Sequence, residues 1–204
     1  MNVEQYREDK DNINFVEQFK LNYPEYFEYI DSIQKKFYNF DRQEMTLGCS
    51  YAVYSDLVQS ILGNKPKHIV EYGPGFSTLL MLRVFEDLDY TPVLTSYEND
   101  PVFYKMLVDN GFDVNNVINL VDMEIEDVDD TYQCTYIHDL ERHKDVDFIF
   151  IDGPGVVVVN GIRKQNINLN LKEFSKYLGG KRIPYFIDGR AKTQKFYREY
   201  FEKS

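Results

Sequence analysis

The chain has 204 residues and a formal net charge of −11, and 43% of its residues are apolar. That is enough for one α/β domain with added elements, and the acidic surface excludes bulk nucleic acid as a partner. The two cysteines, Cys49 and Cys134, lie too far apart for a metal motif and read as free thiols. The N-terminus lacks a basic start and an apolar run, and no stretch reaches membrane-spanning length. A cytoplasmic protein without a membrane partner is expected.

Residues 1–46 read as an N-terminal helical extension. Pro24 suits the first turn of a helix, and Tyr26, Ile30, Ile33 and Phe37 follow at helical spacing. Three roles stay open for this segment: a packed amphipathic helix, a dimer element or a lid. Residues 47–204 read as the main domain. Ser50 is placed to cap a helix carrying Val53, Leu57 and Ile61, which Gly63 and Asn64 end.

Alternation follows. Strands are predicted at 68–72, 93–97, 117–121, 146–151 and 182–187. Helices are predicted at 77–88, 101–110, 171–178 and 191–201. The polar stretch "DMEIEDVDDTYQC" is expected to be loop or short helix. The run "GVVVVNG" is expected to be an apolar wall or flap, a buried extended segment or a dimer contact. The basic stretch 181–203 reads as a solvated helix face. Strand and helix in turn predict a doubly wound, mainly parallel five-stranded Rossmann-like sheet. Pro184 places the fifth strand at an edge, because proline donates no ladder hydrogen bond. Ligands of such sheets bind beyond the carboxyl ends of the strands.

The turn after the first strand, "EYGPGFST", carries the functional argument. Gly73 and Gly75 permit a tight turn, but Thr78 stands where a dinucleotide fingerprint has its third glycine. Glu71 precedes the turn, and a carboxylate there repels a pyrophosphate and favours a cationic ligand. Glu98, at the tip of "VLTSYE", is placed to accept ribose hydroxyls.

Together "VEYGPGFST", "TSYEND" and "FIFIDGPG" resemble the class I (Rossmann-like) S-adenosylmethionine-dependent methyltransferases, over about residues 50–190. The resemblance implies a cofactor pocket of Glu71, Tyr72, Gly73, Pro74 and Gly75, with Glu71 near the amino group of S-adenosylmethionine. It implies Glu98 and Asn99 at the ribose, Asp122 and Met123 beside the adenine, and Asp152 beside the reacting centre. That family's sheet normally has two further strands. Its metal-dependent O-methyltransferases end the fifth strand in Asp-Asn. Here Asp188 is followed by Gly189, so Asp152 and Asp188 are expected as catalytic acids, and the missing Asn stands against a divalent metal. Arg163 and Arg190 are expected to clamp an anionic substrate or to pair with the aspartates. His138 and His143 are expected at the surface or the core edge.

The expected function is transfer of a methyl group to a hydroxyl of a small molecule or sugar, with a homodimer left open. Two alternatives remain at this point: an NAD-type oxidoreductase or epimerase, and a non-catalytic binding or assembly protein of the same fold.

Overall fold

The computed structural model describes residues 10–37 and 48–202. The chain divides into two compact units. One takes the described residues up to Lys65 together with 75–91, and the other takes 66–74 together with 92 onward.

The first unit is helical: α1 (Lys10–Asn22), α2 (Pro24–Lys36), α3 (Tyr51–Asn64) and α4 (Phe76–Glu86). Of the extension expected over 1–46, residues 1–9 and 38–46 lie outside the described residues. Pro24 opens α2, and Tyr26, Ile30 and Ile33 are buried along one stripe. Phe19 of α1 is fully buried. Phe27 packs edge-on to Phe19 at 6.0 Å and lies 5.4 Å from Tyr51. The Ser50 hydroxyl caps α3 by accepting from the Val53 amide at 3.4 Å. Gly63 falls inside the last turn of α3, and Lys65, at φ 48°, takes the left-handed position that ends it. Gly75 is the N-cap of α4, and its amide donates to Thr78 Oγ1 at 3.0 Å.

The second unit holds β1 (His68–Tyr72), β2 (Val93–Glu98), α5 (Pro101–Asp109), β3 (Ile118–Leu120), β4 (Met123–Val128), β5 (Thr131–Tyr136), β6 (Phe148–Ile151), β7 (Val157–Val159), β8 (Ile162–Asn168), α6 (Asn170–Tyr177), β9 (Tyr185–Ile187) and α7 (Ala191–Glu202). Five strands form a parallel sheet in the order β3-β2-β1-β6-β9, the Rossmann-like sheet that the alternation predicts. β9 lies at its edge, and Pro184 contributes only its carbonyl, which accepts from Ile149 N at 3.0 Å. On one face Val70, Tyr72, Tyr97, Ile149 and Ile151 pack with Leu171 and Phe174 of α6 and Tyr197 of α7. Ile69, Phe148 and Phe150, on the opposite face, are buried as well, as parallel strands require. Each large apolar side chain buried this way contributes about 1.5–3 kcal/mol.

The acidic stretch after β3 is not loop or short helix. Met123–Val128 and Thr131–Tyr136 form an antiparallel hairpin, turned at Asp129, which takes φ 52°. The valine run is strand rather than flap. Val157–Val159 pairs antiparallel with Ile162–Asn168 through a turn in which Asn160 and Gly161 both have positive φ. The two hairpins join through parallel pairing of β5 with β8, giving a second, mixed sheet in the order β4-β5-β8-β7. One of its faces is acidic on β4, where Glu124 and Glu126 alternate and are exposed. Its buried face is small: Tyr132, Cys134 and Val157.

The junction between the two sheets is polar. Asn170, buried at the start of α6, accepts from Tyr136 N and donates to Tyr136 O, both at 2.9 Å. Asn168 Nδ2 donates to Gly153 O at 3.1 Å, and Asn166 Nδ2 to Gly155 O at 2.7 Å. These asparagines fasten the end of the second sheet to the turn that follows β6.

Candidate cofactor and active site

Strand order reverses at β1, with β2 and β3 on one side and β6 and β9 on the other. The crevice beyond Tyr72 and Ile151 is therefore the topological switch point at which such sheets bind ligands. The backbone there is drawn tight. Gly73 has φ 88°, and a Cβ on it would stand 2.6 Å from Gly153 N and 2.7 Å from the Asp152 carbonyl carbon. The turn after β1 and the turn after β6 thus touch backbone to backbone, which only glycine allows. The Gly73 amide donates to Tyr97 O at 3.0 Å, and the Asp152 amide donates to Tyr72 O at 2.8 Å. Pro74 and Gly75 are buried.

Glu71 is wholly buried near the end of β1, and its carboxylate accepts a hydrogen bond from the Ser96 hydroxyl of the neighbouring strand. Tyr72, next in the strand, points to the other face. Its ring lies in the core and its hydroxyl is 2.6 Å from His138 Nε2, so it reaches the crevice through its carbonyl. Glu98 ends β2 and is 6% exposed. Its Oε1 accepts from the Asn99 and Asp100 amides at 2.8 and 2.7 Å. Burial outweighs those hydrogen bonds and pushes the carboxyl up to about 7. Asp100 is the helix cap of the pair, accepting from Val102 N and Phe103 N. Asn99 enters through its amide.

Asp152 follows β6 and Asp188 follows β9, and their carboxylates approach within 4.8 Å. Arg190 binds across the first of these turns. Its guanidinium donates to the Asp152 and Pro154 carbonyls and to Asp152 Oδ1, the last at 3.2 Å. Arg190 is thus the arginine that pairs with an aspartate, whereas Arg163 is exposed on β8. A divalent cation fits this pair poorly within the unit. Asp152 already faces a fixed guanidinium, and position 189 offers no side chain.

Asp122 is exposed, and its carbonyl accepts from Ile137 N at 2.8 Å, which closes the mouth of the β4–β5 hairpin. Met123, half-buried, is the first residue of β4 and pairs with Tyr136. Both therefore belong to the root of the second sheet rather than to a simple loop.

Two features were not anticipated. One is Tyr136, the last residue of β5, whose buried hydroxyl lies against Gly153 and has no hydrogen-bond partner among the described residues. No local signal marks it, because the strand that carries it reads as loop. The other is a cluster of all three histidines. His68 Nε2 is 2.9 Å from His143 Nδ1, and His143 Nε2 is 2.6 Å from the Tyr97 hydroxyl. His138 stacks on the Tyr97 ring at 4.2 Å. His138 and His143 are not surface histidines, and burial lowers both to about 4.

The crevice offers a carboxylate at the tip of β2, a glycine contact that a Cβ would fill, and a buried phenol without a hydrogen-bond partner among the described residues. No family model matches the sequence, and no curated protein matches it. In fold, the chain is similar to the SAH-bound methyltransferase PaMTH1 of Podospora anserina, at 16% identity and a TM-score of 0.42, over 71% of this chain and 58% of that one.

Proposed function

We propose that the chain is an S-adenosylmethionine-dependent methyltransferase that acts on a hydroxyl of a small molecule or sugar. The observation that carries this reading is the wholly buried Glu71 side chain two residues before Gly73, whose amide is already taken. A pyrophosphate needs free amides at the turn and at the helix start. Here Gly73 N serves Tyr97 O. The acidic side chain buried next to Gly73, where ionised, raises the cost of a diphosphate further and favours an ammonium.

When bound, S-adenosylmethionine would supply an electrophilic methyl group on a sulfonium. The chain's own residues would position it. Glu71 provides the negative end of the pocket, Glu98 accepts from the ribose, and the Gly73–Gly153 contact forms the floor. Asp152 and Asp188 stand where an acceptor hydroxyl approaches. Asp152, held by Arg190, orients that hydroxyl and accepts its proton. Positioning of this kind supplies much of the acceleration in a methyl transfer.

Isothermal calorimetry tests the reading with S-adenosylhomocysteine and NADH as probes. Binding of the first and not the second is expected, and the reverse would overturn it. Glu98→Ala should weaken S-adenosylhomocysteine by about 1–3 kcal/mol, the range for hydrogen bonds to a charged group. Unchanged affinity would remove Glu98 from the site.

A further inference from the structure

The mixed sheet has two edges, and they are built differently. Its order β4-β5-β8-β7 leaves β4 open on one side and β7 on the other. An open edge presents unpaired amides and carbonyls, and proteins commonly guard it with charge. β4 is guarded, because Glu124 and Glu126 are exposed on it. β7 is not. It runs from Val157 to Val159, follows Val156, and carries neither a charge nor a proline. Val156 and Val158 are 62% and 56% exposed, whereas Val157 is buried in the small apolar face of the sheet.

The hairpin fixes which backbone groups are free. Val159 and Ile162 flank the two-residue turn at Asn160 and Gly161. Such a turn is closed by a hydrogen-bonded pair, and bonded and non-bonded pairs alternate along an antiparallel ladder. Val157 with Lys164 is the next bonded pair, so Val158 stands opposite Arg163 without backbone bonds. The Val158 amide and carbonyl therefore point away from β8, and among the described residues no other backbone group reaches them.

Charge selects what covers this edge. Two copies of a chain at −11 repel each other wherever their acids face. Residues 153–172 are the longest stretch of the sequence without Asp or Glu, and β7 and β8 both lie inside it. Lys164 within it is paired with Asp127, which leaves Arg163 as the free cation beside the edge. β7 is also complementary to itself. Antiparallel pairing about a twofold axis at Val158 sets Val158 against its own copy and Val157 against Val159.

We propose that β7 is a dimer edge, at which Val158 exchanges its amide and carbonyl hydrogen bonds with Val158 of a second copy of this chain. The two four-stranded mixed sheets then continue as one. The inference does not depend on the methyltransferase reading. A three-residue edge buries little area, so the dimer is weak and depends on concentration. Salt screens the repulsion between the copies and favours it.

Sedimentation velocity on the full chain, from about 10 µM to about 500 µM, is the test. Wild type should pass from monomer to dimer over that range, and further in about 0.5 M salt than in about 0.05 M. Val158→Pro removes the outward amide and no ladder hydrogen bond, and Val158→Lys puts a charge on the axis. Both should stay monomeric at the highest concentration with the circular dichroism of wild type. Where Val158→Pro does not fold, Val158→Lys decides. A wild type that is monomeric throughout would overturn the proposal, and so would a dimer that persists in either folded variant. Masses that grow beyond the dimer would mean that β7 pairs with a different edge of the next copy, and would overturn the twofold pairing.

Discussion

Gly73→Ala is expected to lower folding stability by about 2–5 kcal/mol. Two costs combine. A non-glycine residue at φ 88° carries a conformational penalty of about 1–2 kcal/mol. The added Cβ would also stand 2.6 Å from Gly153 N and 2.8 Å from Gly153 Cα, backbone atoms with no rotamer to escape into. Relief requires the turn after β1 and the turn after β6 to separate, at a cost of about 1–3 kcal/mol for an overpacked contact. Gly161 provides the control. Its φ of 77° is similar, but a Cβ there meets nothing within 4 Å. Gly161→Ala should therefore lose only the conformational part. Urea denaturation of the two variants separates the effects. Equal losses at 73 and 161 would mean that the two turns do not touch as described.

The same contact shows what could be read from the residues and what could not. "HIVEY" followed by a glycine turn reads as a buried strand because its apolar residues are contiguous, and β1 is that strand. Pro24 and Ser50 mark their helices by local chemistry and start them where expected. Gly73 reads as a tight turn, but its neighbour in space, Gly153, lies 80 positions later, and spacing alone does not pair them. The second sheet was missed for a different reason. In "MEIEDV" the solvent face is acidic, and acids are rare in strands, so the alternation reads as loop. A usable signal was present in "VVVVNGI", where Asn-Gly between apolar runs marks a type I′ hairpin. The histidine cluster was beyond local reading, since His68 and His143 come together only through the pairing of β1 with β6. Tyr136 combines both failures: its strand was unrecognised, and its partner Asn170 lies on a later helix.

That cluster leads to the second large effect, a loss of stability in mild acid. Burial holds His138 and His143 near 4, below the ordinary 6.5, and His68 is shifted the same way. The groups around them give little help to a proton. Asp139 favours the charged form at both His138 and His143, but Arg142 and the neighbouring histidines oppose it at His143. A histidine whose folded value is lowered binds its proton first in the unfolded chain. Its contribution is complete above 6.5 and is lost as pH falls from 6.5 toward 4. Full linkage for one such group is about 3 kcal/mol. The solvent that His138 still reaches puts the joint loss on the order of 3 kcal/mol rather than twice that. Glu98 acts in the opposite sense. Its folded value is raised from 4.5 to about 7, so its contribution is present in acid and lost as pH rises through that interval. Between 4.5 and 6.5 the two trends compete. Glu98→Gln removes the second, and the variant should lose stability more steeply on acidification than wild type. Denaturant midpoints from pH 4 to pH 8 measure both slopes. A flat wild-type profile that stays flat in Glu98→Gln would show that the histidines accept protons without disturbing the fold. Parallel slopes in the two proteins would show that Glu98 is ionised throughout.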